Sequence, residues 1–597
     1  MALKGAEITS LTGAMWHQET SPVSDEMVAR LAKLFEQQHD MPFSLGELLA
    51  KRGINADTID AFIEPRLRDL LPDPSSFQDM DKACKILAET VIAKKPIGIF
   101  GDYDVDGACS AAIFSRFLQA FGVTAHIHIP DRFKEGYGPN AEALRALKSK
   151  GAELVITVDC GITAHEPLRD AASAGVNVIV IDHHQAGTNL PDALAVVNPN
   201  RLDDESGQGA LCAAAMAFMT CVGTMRLLRQ QEAFKTPPID LLSLLDLVAM
   251  ATICDIVPLT IVNRAFVKQG IKIFKQRQNT GLRLLSDLSG VNRPPTAQTF
   301  GFVLGPRINA AGRIGSASLG AELLTTSDES VAVGIAAQLE ELNKQRKSIE
   351  AEVQRLAIDE ADTLLEQNPD MKVIIVAGEG WHEGVVGIVA GRLKDKYNRP
   401  AIVISLNQDG IGKGSARGIS GFQLGDAVMA AHQAGILLGG GGHDMAAGLS
   451  LEQSKLDDFR AFMDKKFSES FEIMPPATMA ISQIIALSAC NKSFVDWIDT
   501  IAPFGSHFPE PKFMLSHCQI SYIKWLGEDG NHLSCQISDG TGAKIRAIAF
   551  RFKDKLISKN ALHQQEGALF HIVGRCVLDD YRGGDAVQFQ IDDIAIA

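Results

Sequence analysis

The run Gly101-Asp102-Tyr103-Asp104-Val105-Asp106-Gly107 places three carboxylates in one short turn, between an apolar stretch and the start of an apolar helical pattern. Carboxylates held that close without counter-ions raise one another's pKa values. A single aspartate there reads best as a cap on a polar loop. Three at alternating positions favour a hard cation with oxygen ligands. Two further apolar runs end in the same way: Val155–Val158 leads into Asp159, and Val178–Ile181 leads into Asp182-His183-His184. Alone, Asp159 would be a turn residue and the histidines a hydrogen-bonded pair; the coincidence at three strand ends weakens that reading. Asp255 interrupts the apolar stretch Thr252-Ile253-Cys254-Asp255-Ile256-Val257-Pro258. It could cap a helix, but beside this cluster it is a further candidate ligand. Carboxylates with one or two imidazoles suit Mn²⁺ or Mg²⁺ rather than structural zinc, and histidine tilts the choice to Mn²⁺. The set is large enough to bridge two ions about 3.5–4 Å apart, an arrangement used for in-line attack on phosphorus. Hydrolysis of a phosphate ester or anhydride is the leading reaction class.

To bring those turns together the chain must supply a parallel sheet, and its pattern predicts one. Strands Ile97–Phe100, Thr124–Ile129, Leu154–Val158 and Val176–Ile181 alternate with helices 108–121, 140–150 and 164–174. Such alternation argues for an α/β domain with helices covering a parallel sheet, whose C-terminal rim is where ligands bind. Segments 211–229 and 239–253 read as apolar helices packed on that sheet, with 198–208 a polar loop before them. Leu339, Leu342, Ile349, Val353, Leu356 and Leu364 recur with helical spacing in a charged background, which predicts a connecting helix. A second α/β unit follows, with strands 373–377 and 401–405, a helix over 386–394 and the glycine run Gly439–Gly442. After Pro475-Pro476 the texture is β-rich, with the turn Ser538-Asp539-Gly540-Thr541-Gly542 between two strand-like runs, suggesting a small barrel or sandwich. Composition agrees with a multi-domain globular chain: 597 residues, 46% hydrophobic and 22% charged. Ten scattered cysteines describe neither a disulfide framework nor a zinc site, and the N-terminus carries no apolar signal segment. A cytoplasmic protein with no membrane segment is expected. The formal charge of −15 repels polyanions at long range, so any nucleic-acid contact must come from local patches.

Asp182-His183-His184, with the upstream aspartates and Asp159, resembles the DHH phosphoesterase superfamily. Within it, the segments Ile129–Asn140 (IPDRFKEGYGPN) and Gly305–Arg313 (GPRINAAGR) resemble the RecJ family of exonucleases. The resemblance implies a DHH domain over residues 76–325, a connecting helix over 326–370, a DHH-associated α/β domain over 371–474 and an OB-fold-like barrel over 475–597. Residues 1–75 are left as a helical N-terminal extension. It further implies that Asp104, Asp106, Asp159, His183 and Asp255 bind two Mn²⁺ or Mg²⁺ ions, with Asp159 bridging. Asp102 and Asp182 would orient water or imidazole, and His184 would stabilise the pentacoordinate phosphate or assist proton transfer. Arg307 and Arg313, flanking a turn rich in Gly, Asn and Ala, would hold phosphate, with Ser415, Arg417 and His443 contacting phosphate or base from the second α/β unit.

The activity so implied is 5′-to-3′ removal of mononucleotides from single-stranded DNA in repair and recombination. The partners implied are single-stranded DNA, a single-strand-binding protein and a helicase, with the protein itself a monomer. In the C-terminal region Lys544, Arg546, Arg551, Lys553, Lys555 and Lys559, with Tyr522, Trp525, Phe550 and Phe552, supply the ingredients of single-strand binding, although alternating aromatics also build barrel cores. There are two departures from the family pattern: Asp444 stands at a small-residue position, and the segment Leu211–Phe218 (LCAAAMAF) has alanines where glycines are common. That puts in doubt any function requiring bare backbone at those alanines. Alternatives are a DHH phosphodiesterase for short oligonucleotides or cyclic dinucleotides, and a non-catalytic DHH scaffold. Intact candidate ligands speak against the scaffold.

Overall fold

The computed structural model describes residues 8–132, 134–556, 567–579 and 582–597; Phe133 and Lys559 lie outside them. The chain forms two compact units, one of residues 65–472 with 505–508, the other of the remaining N- and C-terminal residues.

In the first unit, five parallel strands lie in the order Ala125–His128, Ile97–Gly101, Leu154–Val158, Val178–Ile181, Ala195–Val197. Every residue of the three central strands is buried. Alternate side chains enter different cores: Ile97, Ile99, Ile156, Val158, Ile179 and Ile181 join one, and Phe100, Val155, Val178 and Val180 another. A sheet covered on both faces accounts for the continuous apolar runs. The strand order reverses between Ile97–Gly101 and Leu154–Val158, so the crevice of an open α/β sheet opens at the ends of these two strands. The aspartate turn and Asp159 follow those strands.

Helices Val105–Ala120, Ala213–Gln230 and Leu245–Cys254 pack against one another on one side of the sheet. Arg307 and Arg313, expected to flank a turn, instead lie on the helix Gly305–Ile314. Its glycines serve close packing rather than chain reversal, since a Cβ on Gly305 would sit 2.4 Å from Cys254 Sγ. The connecting helix runs over Glu329–Gln367, and its 39 residues span about 58 Å at 1.5 Å per residue. Leu339 joins the main core at one end, and Val353, Ala357 and Ala361 join the second α/β core at the other. The second sheet has the order Gly439–His443, Ala446–Glu452, Ile411–Arg417, Ala401–Leu406, Ile374–Glu379, parallel only in its last pair. The glycine run is therefore a strand.

In the other unit, strands Phe513–Leu526, His532–Ser538, Lys544–Ala549, Val587–Ile596 and Phe570–Leu578 close into a barrel through pairing of the first with the last. The N-terminal segment expected as a helical extension carries the helices Asp25–His39, Phe43–Lys51 and Ile59–Ile63, together with two short strands, Ile8–Thr9 and Met15–Gln18. Residues 8–64 fold with the barrel, and Met15–Gln18 pairs in parallel with Thr478–Ile481. Ala14 and Trp16 are buried with Ile481, Met514, Val573 and Ala595, and Trp16 Nε1 donates to Asp593 Oδ2 at 3.0 Å. Those partners lie hundreds of residues away, beyond any local pattern. Residues 65–75 belong to the first unit, and residues before Ile8 lie outside the description.

Candidate metal centre

The aspartate turn is shaped by the start of helix Val105–Ala120. Asp104 is its N-cap, Oδ1 accepting from Asp106 N at 2.9 Å and Gly107 N at 3.1 Å. Gly107 is required here, because a Cβ would lie 2.3 Å from the Asp102 carbonyl oxygen. Asp106 is fully enclosed, and its carboxylate accepts from Ala213 N and Ala214 N at 2.7 Å each. Two of the alanines that depart from the family pattern, Ala213 and Ala214, thus contribute backbone N–H groups, and their methyls do not obstruct the contact. Asp159 follows its strand with φ +61°, a left-handed conformation rare outside glycine, turning its carboxylate onto the rim. Asp255 is the C-cap of helix Leu245–Cys254. The helix end thus brings its carboxylate to the rim of the sheet, facing His183.

These elements converge. His183 Nε2 lies 3.3 Å from Asp159, 3.6 Å from Asp255 and 3.7 Å from Asp106. Donor atoms of Asp106, His183 and Asp255 lie within 4.8 Å of one another, as do those of Asp102, Asp104 and Asp159, and those of Asp159, His183 and His184. Asp159 belongs to two of the three groups, and Asp102 is grouped with Asp104 and Asp159.

Electrostatics test whether cations fit. Burial, then the Asp104 charge, pushes Asp102 up to about 8 and Asp106 up to about 7. Burial, then Asp106 and Asp104, raises Asp255 to about 8 and holds Asp159 well above the ordinary range. Burial and the neighbouring His184 charge lower His183 to about 4, leaving it neutral at pH 7. His183 Nε2 and Asp102 Oδ1 are buried and have no hydrogen-bond partner among the described residues. A neutral imidazole with a free nitrogen, facing carboxylates that resist ionisation, is a donor set short of positive charge. Divalent cations fit it.

His184 differs from its neighbour. Burial opposes its charge, but a 2.8 Å hydrogen bond to Asp182 and that carboxylate's field outweigh burial and raise it to about 9. Asp182 also accepts from His183 N, His184 N and Ile162 N, so both histidines are aimed by one enclosed carboxylate. Sequence reasoning missed the second support: Asn200 Nδ2 donates to His183 O at 2.5 Å, and Asn198 Nδ2 to His184 O at 2.9 Å. Tyr137 was also missed, although it lies in the motif Ile129–Asn140; its Oη is 3.3 Å from His184 Nε2.

A cleft of about 570 Å³ is lined by Arg132 and Arg313 together with Gly384, Gly387, Lys413, Ser415 and Arg417 of the second α/β domain. Arg313 Nη1 donates to Gly384 O at 2.9 Å. The start of helix Glu383–Tyr397 lies here, adding its positive end. Arg132, another omission, also lies over the Tyr103 ring at 5.4 Å. Arg307 is placed differently from expectation. Its guanidinium is bound to Glu340 and to Val303 O, both at 2.6 Å, and braces its helix against the connecting helix. His443 stands exposed at a strand end outside the residues lining the cleft. On the barrel, a groove of about 820 Å³ is lined by Lys492, Tyr522, Lys524, Lys544, Arg546 and Arg582 among others. Phe552 is buried core, whereas Tyr522 and Phe550 are exposed.

The DHH family N-terminal domain matches residues 96–252, the DHHA1 domain residues 370–469 and the RecJ OB domain residues 481–593. The single-stranded-DNA-specific exonuclease RecJ of Salmonella typhimurium is 33% identical over 573 residues, covering 93% of this chain and 96% of the relative. The crystal structure of Thermus thermophilus RecJ with Mn²⁺ superposes with a TM-score of 0.78 at 27% identity, covering 97% of this chain and 79% of that one. The Mg²⁺ complex of the same protein gives 0.74 at 25% identity, covering 97% and 78%. A parallel sheet ending in the aspartate and DHH turns, a second α/β domain and a closed barrel, matched along nearly their whole length, place this chain in the RecJ family of the DHH phosphoesterases.

Proposed function

We propose that the protein is a metal-dependent exonuclease that degrades single-stranded DNA from the 5′ end, releasing 5′-mononucleotides, in DNA repair and recombination. The observation that carries this reading is the convergence of Asp102, Asp104, Asp106, Asp159, His183 and Asp255 at the switch point of the sheet, in a chain related to single-strand exonucleases along almost its entire length. Asp104, Asp106, Asp159, His183 and Asp255 would hold two Mn²⁺ or Mg²⁺ ions, with Asp159 shared and Asp102 adjoining. Bound there, such ions would supply Lewis-acid charge to the phosphodiester. The remaining work belongs to the chain. His184, kept as an imidazolium by Asp182, faces the centre with a positive charge and a transferable proton for the oxyanion that develops on phosphorus. Arg313, Arg417, Ser415 and Arg132 line a cleft suited to backbone phosphate. Arg307 enters this reading as a brace.

The proposal includes a cytoplasmic monomer acting with a single-strand-binding protein and a helicase. All ten cysteines are free thiols, which suits a reducing compartment, and among the described residues no helix is long and apolar enough to cross a membrane. The test is incubation with Mn²⁺ or Mg²⁺ and oligonucleotides labelled at either end, single-stranded and duplex. A 5′ label should appear first as mononucleotide, from the single strand only. Internal cleavage, equal attack on duplex, or inertness with both metals would overturn the reading.

A further inference from the structure

Near the helix end that carries Asp255 the chain exposes two large apolar side chains, one of them on a strained backbone. Helix Leu245–Cys254 ends with Asp255, and the next residue, Ile256, has φ +57° and is 72% exposed. The left-handed position after a helix ordinarily goes to glycine or asparagine, and a β-branched side chain there is an outlier. The second is Phe302, 80% exposed, on the π-helical turn Thr299–Leu304. Turns of this kind are rare and recur at functional sites.

The two segments adjoin. Cys254 Sγ contacts Phe300 O at 3.5 Å, a Cβ on Gly301 would lie 3.2 Å from Ile253 Cγ2, and a Cβ on Gly305 would meet Cys254 Sγ. The helix end bearing Asp255 therefore rests on the turn bearing Phe302, and the side chain of Arg307 closes that turn by bonding Val303 O. Neither apolar side chain is needed by the core: Phe300 and Leu304 of the same turn are enclosed while Phe302 points outward.

We infer that Ile256 and Phe302 form an apolar platform that takes the bases of the single strand whose phosphates lie at the metal centre, with Phe302 stacking and Ile256 separating neighbouring bases. This rests on the exonuclease reading. Unpaired bases offer flat apolar faces without sequence requirement, and aromatic or aliphatic side chains beside a phosphate site are the matching surface. The two are positioning residues: they set where the strand lies relative to Asp255 and touch no reacting atom.

The experiment compares wild type, Phe302→Ala, Phe302→Trp and Ile256→Gly on single-stranded oligonucleotides and on the same oligonucleotides carrying an abasic stretch, with Mn²⁺. Without the stacking ring, Phe302→Ala should show a KM raised on the order of tenfold with kcat changed far less, and Phe302→Trp should restore it. Ile256→Gly should raise KM while Tm holds or rises, because glycine suits the backbone there. The abasic substrate should narrow the gap between wild type and Phe302→Ala. Unchanged KM in both deletion variants, or an equal defect on abasic and normal strands, would overturn the platform. Should Phe302→Ala unfold, Ile256→Gly decides alone. A wild type inert on every single strand would instead sink the exonuclease reading beneath it.

Discussion

Asp159 is the residue proposed to be shared between the two ions, since it faces both His183 and the Asp102–Asp104 pair. Asp159→Ala should lower turnover by three orders of magnitude or more, about 4 kcal/mol in the chemical step, with the fold retained by circular dichroism. Activity within a few-fold of wild type would remove it from the centre. The same carboxylates make stability depend on pH. Burial and mutual repulsion raise Asp102, Asp106 and Asp255 to about 7 to 8, far above an unfolded aspartate, so these three groups together bind more protons in the folded metal-free protein than in the unfolded chain, which outweighs the single opposing shift of His183 to about 4. Stability of the metal-free protein should therefore fall as pH rises from about 4 to about 8. Mn²⁺ should reverse the trend, since it binds the ionised forms and releases protons. Thermal unfolding across that range, with chelator or with Mn²⁺, checks both signs. A Tm of the chelated protein that rises with pH would contradict them.

At the scale of elements, the site depends on close approach of the aspartate turn to its helix and on a cleft shared by two sheets. Gly107→Ala forces a methyl against the Asp102 backbone, and such overpacking costs about 1–3 kcal/mol. It should lower Tm and metal affinity together; an unaltered Tm would mean the turn relaxes freely. Arg417 lies in the cleft on strand Ile411–Arg417, bonded to Ser415 Oγ and Ala416 O, and burial lowers its pKa. Arg417→Ala should weaken DNA binding with kcat at saturating DNA largely kept. Collapse of kcat at unchanged affinity would assign Arg417 to the chemistry instead.

At the scale of the molecule, a chain of net charge −15 must hold a polyanion by local patches, and the barrel groove lined by Lys524, Lys544 and Arg546 is a candidate. Cutting the barrel off is the wrong test, because residues 8–64 share its fold and Trp16 would be stripped of its core. Neutralising Lys524 and Lys544 to glutamine leaves that core intact and spares Arg546, which pairs with the buried Asp579. Each phosphate of a single strand that is no longer paired should flatten the log-affinity against log-salt slope by about 0.7. Equal slopes and affinities for variant and wild type would show that the groove does not bind DNA.

The aspartate turn, Asp159 and the DHH run were legible because a parallel sheet buried on both faces writes itself as apolar runs, and polar residues at their ends stand out. The connecting helix was legible for a similar reason, its apolar spacing surviving a charged background over 39 residues. Local pattern could not show that Arg307 spends its donors on Glu340, that Asn198 and Asn200 hold the two histidines, or that the glycine run is a strand. Nor could it join Trp16 to Asp593. Periodicity reports which face of an element is buried; it does not report what it is buried against. The residue types able to bind metal were therefore decided by sequence, whereas their mutual distances, their shifted protonation and the partners of the site's arginines were decided only when distant segments packed.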